Sequence, residues 1–79
     1  VNLNLSKSKE ITDIGITTLT IFTSLESLEI EDCDQVTSDG LETLAVLPHL
    51  TYLNITNCII SDEERQNLQT QMPKLRIVH

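Results

Sequence analysis

The chain has 79 residues, enough for one small domain, and 39% of them are apolar, mostly Leu and Ile, with no Trp, one Phe and one Tyr. Twelve acidic against five basic residues leave a net charge of -7. That balance argues against nucleic acid, whose phosphates need Lys and Arg, and against an anionic membrane surface, while it suits a basic protein partner; no apolar run nears the ~20 residues that span a bilayer.

The first six residues, Val1-Asn2-Leu3-Asn4-Leu5-Ser6, alternate strictly and predict a strand with Leu3 and Leu5 inward. A polar turn follows, anchored by Ile11. Thr12 or Asp13 is then placed to cap a short helix, because both carry side-chain oxygens that accept from orphan N–H groups. Ile16, Leu19 and Phe22 fall on one face of that helix. Its Thr-rich sequence has weak propensity, so packing must hold it.

The same order then recurs. Leu28 and Ile30 centre a second strand, Cys33 stands where Ser8 stood, and Val36 replaces Ile11. Leu41, Leu44 and Leu47 repeat the helical face, and Pro48 ends it, since proline lacks a donor and disfavours helix before it. A third strand centres on Leu53 and Ile55, with Cys58 after it. Ser61-Asp62-Glu63-Glu64 reads as a capping box opening a third, more polar helix. Leu75 to His79 starts the phrase again. The offset from Leu25 to Leu50, from Cys33 to Cys58 and from Leu50 to Leu75 is 25 residues each time. A fixed period of this size marks stacked repeats. The expected architecture is α/β: coils at about 1–24, 25–49 and 50–74 and a terminal strand at 75–79. The parallel sheet lines a concave face and the short helices a convex one. The start at Val1, inside a phrase, and the polar third helix suggest the C-terminal part of a longer array that continues upstream.

The phrase Leu25-x-x-Leu28-x-Ile30-x-x-Cys33, its copy Leu50-x-x-Leu53-x-Ile55-x-x-Cys58, and the continuations Ile11-Thr12-Asp13-Ile14-Gly15-Ile16 and Val36-Thr37-Ser38-Asp39-Gly40-Leu41 resemble the leucine-rich repeat family. They are similar to its cysteine-containing subtype, found in F-box proteins and in related bacterial repeat proteins. The resemblance implies a short solenoid used for protein–protein recognition. It further implies the substrate-recognition repeats of an F-box-like ubiquitin-ligase adaptor. The alternatives are a structural cap that binds nothing itself and a bacterial repeat protein of unrelated role. The first coil departs from the pattern with Ser8 in place of Cys, and the third with Glu64 in place of Gly.

By alternation the outward side chains are Asn2 and Asn4, Ser27 and Glu29, Tyr52 and Asn54, and Ile77 and His79. The expected contact strip for a protein partner is Glu26, Glu29, Glu31, Asp32, Tyr52 and Asn54, with Tyr52 as its aromatic anchor. Lys7 is expected beside Asp32. No catalytic, cofactor or metal site is expected: Gly15 and Gly40 are isolated, no nucleophile motif is present, and two cysteines without a nearby partner do not make a zinc site. Cys33 and Cys58 are expected to be inward, small and unpaired, which favours the reducing cytoplasm over secretion. Asn4-Leu5-Ser6 and Asn54-Ile55-Thr56 match the glycosylation pattern, but the repeat itself accounts for both.

Overall fold

Four three-residue strands and three helices alternate along the chain, in a computed structural model that describes residues 2–79. The predicted first strand begins at Val1, outside the described residues; its described part is β1, Asn2–Asn4. The other strands are β2 (Ser27–Glu29), β3 (Tyr52–Asn54) and β4 (Arg76–Val78). They lie side by side in chain order, all parallel. Parallel neighbours need a crossover, and each is supplied by one helix: α1 (Asp13–Thr18), α2 (Ser38–Thr43) or α3 (Asp62–Gln71). The result is a short solenoid with a sheet on one side and helices on the other.

The register confirms the 25-residue period twice. Leu3 pairs with Leu28, and Leu28 with Leu53. Inward aliphatic side chains form one core: Ile16, Leu25, Leu28, Ile30, Cys33, Val36, Leu44 and Leu53 are almost wholly buried. Each such side chain removed from water contributes roughly 1.5–3 kcal/mol.

The third step is shorter. Leu53 pairs with Ile77 and Asn54 with Val78, an offset of 24. Two residues separate Leu50 from Leu53, but only one separates Leu75 from Ile77, so Leu75 is buried like Leu50 and the strand beyond it slips by one. A one-residue slip turns every side chain to the opposite face. The expectation that Ile77 faces outward is therefore corrected: Ile77 packs against the core, and the outward positions of β4 are Arg76 and Val78. His79 lies past the end of the strand.

The helices are short, as expected, and differ from one another in how they start and end. The α-helical part of each of the first two coils is six residues, continued by a tighter 3-10 turn at Leu19–Ile21 or Leu44–Val46. In the second coil this carries Leu44 and Leu47 into the core. In the first, the matching Phe22 is 51% exposed. Thr12 is the N-cap by position, yet its side chain makes no capping bond. Asp13 reaches the next coil instead, accepting from the Thr37 N–H (2.7 Å) and the Thr37 hydroxyl (2.5 Å). The third helix has the expected capping box: Glu64 N–H donates to Ser61 Oγ, and Ser61 N–H donates to Glu64 Oε1. That self-capped start accompanies ten helical residues without a 3-10 end.

Candidate functional site

The open face of the sheet carries the side chains that point away from the core. Its central rows are set by the strand register: Asn2, Ser27, Tyr52 and Arg76 form one, and Asn4, Glu29, Asn54 and Val78 the other. Tyr52 thus stands between Ser27 and Arg76. Arg76 is exposed, while Tyr52 and Glu29 are half-buried. The spacing between neighbouring strands, about 4.8 Å, holds these side chains in contact range of one another.

Beyond the strands every coil makes the same sharp turn. Lys7, Asp32 and Asn57 occupy it with φ of 66°, 60° and 62°, the left-handed region that Asp and Asn tolerate better than Lys does. The turns are tied coil to coil: Lys7 N–H donates to the Glu31 carbonyl and Asp32 N–H to the Thr56 carbonyl. The Asn57 amide donates to Asp32 Oδ1 at 2.9 Å. Lys7 and Asp32 occupy equivalent places in adjacent coils, as expected, but among the described residues the ion pair here joins Lys9 to Asp34 (3.6 Å).

Asn54 is the buried polar residue of the face, 6% exposed. Its Oδ1 accepts from the Thr56 N–H (3.0 Å) and hydroxyl (2.7 Å), and its Nδ2 donates to Glu31 Oε1 (2.5 Å). Asn4 accepts from the Ser6 N–H in the same way. The two apparent glycosylation patterns are therefore turn-forming side chains that bond the backbone two residues on. Of the six residues expected in the strip, Glu31, Asp32 and Asn54 are bonded to neighbouring side chains. Glu29 and Tyr52 stand together on β2 and β3, and Glu26 lies at the other end of β2, its carbonyl accepting from Thr51 and Tyr52. Arg76 is an open-face residue in place of Ile77, which alternation had put outward. The signal for it was the single residue between Leu75 and Ile77.

The cysteines are inward and free, but they do more than fill space. Cys33 Sγ donates to the Leu5 carbonyl (3.3 Å) and Cys58 Sγ to the Ile30 carbonyl (3.0 Å), so each thiol binds the end of the preceding strand. Burial pushes the Cys58 thiol pKa up, which keeps the donor protonated. A shallow cavity of about 240 Å³ lies elsewhere, among the helix-to-strand turns, lined by Leu47, Pro48, Leu50, Met72, Pro73 and Lys74. Among the described residues no three His, Cys, Asp or Glu side chains are placed to hold a metal ion, and no helix is long and apolar enough to cross a membrane.

Residues 23–45 and 46–63 each match the family model described as Leucine Rich repeat. No curated protein matches the chain. The matched stretches cover more than half of the 79 residues and coincide with the coils whose Leu28 and Leu53 pair across the sheet. On that agreement of sequence and register, the chain belongs to the leucine-rich repeat family.

Proposed function

We propose that this chain is a recognition scaffold whose open sheet face binds a basic protein segment. Leucine-rich repeats in general serve protein–protein interaction, and the carrying observation is the row that sets Tyr52 beside Arg76, with Glu29 in the row next to it. A half-buried tyrosine on a rigid strand offers contact area at low entropic cost. The net charge of -7 favours encounter with basic partners. Glu26, Glu31, Asp32 and Asn54 supply the surrounding acidic and polar rim. Selection of peptides from a displayed library on the immobilised chain tests the reading. Enriched sequences should be basic and should lose binding with Glu29→Arg and with Tyr52→Ala, while Lys9→Ala on the turn side has no effect. Enrichment indifferent to both open-face variants would refute it.

A second reading is favoured by one asymmetry. Leu28, Ile30, Val36 and Leu44 are fully buried, whereas their first-coil counterparts Leu3, Leu5, Ile11 and Leu19 are only partly so. The chain is then the end of a longer array that continues on the β1 side. The finer reading, substrate recognition for an F-box-like ubiquitin-ligase adaptor in the cytoplasm, rests on the resemblance of the Cys33 and Cys58 phrases and suits two free thiols. An F-box-like segment preceding the repeats would support it, and its absence from the full-length gene product would remove it.

A further inference from the structure

The contact between the first two coils works as a template. Asp13 places its carboxylate on the N–H and hydroxyl of Thr37. Gly40, three residues on, makes room for it: a Cβ there would lie 3.0 Å from Asp13 Cγ and 3.1 Å from Asp13 Cα, closer still to the carboxylate oxygen. Where the preceding coil offers no acid, the design changes. Ser38 holds the place of Asp13 in the second coil, and the third coil supplies its own carboxylate from Glu64, at the place of Gly40. Glu64 takes the Ser61 N–H and the Ser38 hydroxyl, and these bonds hold its pKa below the ordinary carboxylate value. So glycine goes with an acid from the neighbour, and glutamate with none.

The first coil has the glycine, and among the described residues no carboxylate fills the space beside it. A Cβ on Gly15 would meet only Ile11 Cδ1, at 3.6 Å, the ordinary contact distance. Among the described residues nothing accepts from the Thr12 N–H or hydroxyl. Around them β1 is an edge strand, and Leu3, Leu5, Ile11, Leu19 and Phe22 are partly exposed. Strand edge, apolar side and vacant polar seat all match the surface that the second coil presents to the first.

We propose that the β1 side of the stack docks another leucine-rich coil, one carrying an acidic residue where this chain's first coil carries Asp13. The proposal rests on the longer-array reading above and adds the chemistry that selects the neighbour. The occupant is a coil and not a loose peptide, because the strand edge and the Thr12–Gly15 seat must be met together. They are joined in this chain only through one continuous unit.

The test places a second copy of residues 1–25 ahead of Val1, which keeps the Leu-x-x-Leu spacing across the join. The added coil then offers its own Asp13 to Thr12 and Gly15. The extended chain should melt on the order of 10 °C higher than the 79-residue chain. The Thr12 amide should exchange with solvent at least tenfold more slowly, and Asp13→Ala in the added copy should abolish that protection. Gly15→Ala should be harmless in the 79-residue chain and destabilising in the extended one, whereas Gly40→Ala should destabilise both. A higher melting temperature with Thr12 unprotected and Gly15→Ala still harmless would overturn the acid-specific seat while leaving the array reading intact. No gain at all would overturn both. If the 79-residue chain instead dimerises in sedimentation and Leu5→Glu abolishes the dimer, a second copy occupies the face and the proposal fails.

Discussion

Leu53→Ala puts the aliphatic ladder under the most direct load. Leu53 is fully buried, with Leu28 on one side and Ile77 on the other. Both neighbours are fixed by strand pairing, so the hole left by the deleted methyl groups has little means of closing. Leu→Ala changes at such sites cost about 2–5 kcal/mol. A fold of 79 residues has a total of about 4–12 kcal/mol at roughly 0.05–0.15 kcal/mol per residue. The variant should therefore lose between about a sixth and all of its stability, with Tm falling by about 10–40 °C. The informative control is Leu3→Ala at the end of the same ladder. Leu3 is only half-buried and has a partner on one side, so its loss should cost roughly half as much, about 1–2 kcal/mol. Urea unfolding followed by circular dichroism measures both. Equal costs at Leu3 and Leu53, or a Leu53→Ala midpoint unchanged from the parent, would refute a core built rung on rung.

Three further changes follow from the same contacts. Asn54→Asp replaces the amide donor to Glu31 with a second carboxylate, so it should cost about 1–3 kcal/mol at pH 7, whereas Asn54→Gln, which keeps an amide, should cost less; urea midpoints of the two variants check this. Glu64 has a folded-state pKa below its ordinary 4.5, held there by the Ser38 hydroxyl and the Ser61 N–H, so its contribution is complete above that value and is lost as pH falls through the lower one; Glu64→Gln should flatten the acid limb of stability below pH 4.5. Lys7 adopts φ of 66°, which costs a side-chain-bearing residue roughly 1–2 kcal/mol, so Lys7→Gly should stabilise by up to about 1 kcal/mol after glycine's own entropy, seen as a Tm rise of a few degrees.

Most of the architecture was legible because a repeat is read by agreement among its copies. Leu3, Leu28 and Leu53 occupy equivalent places, and the parallel sheet brings them together as the period demands. The reading went astray at the end of the chain, where Leu75 keeps the 25-residue interval while Ile77 does not. The buried loop residue and the strand are separate anchors, and alternation carried from one to the other put Ile77 on the wrong face. Phe22 is a second case: its position matches buried Leu47, yet it is 51% exposed, which the repeat alone does not reveal. On the open face, sequence could count acids but not their bonds. That Glu31 accepts from Asn54, and Asp32 from Asn57, follows from side chains brought together across coils 23 and 25 residues apart. The Asp13–Thr37–Gly40 contact was hidden in the same way, although Gly at two helix starts and Glu at the third was its visible trace.

Backbone contacts measured in solution by nuclear Overhauser effects bear most directly on the stack. The account predicts parallel, in-register contacts from Leu3 to Leu28, from Leu28 to Leu53, and from Leu53 to Ile77 rather than Val78. Antiparallel contacts between the segments around Leu28 and Leu53, or none, would contradict it.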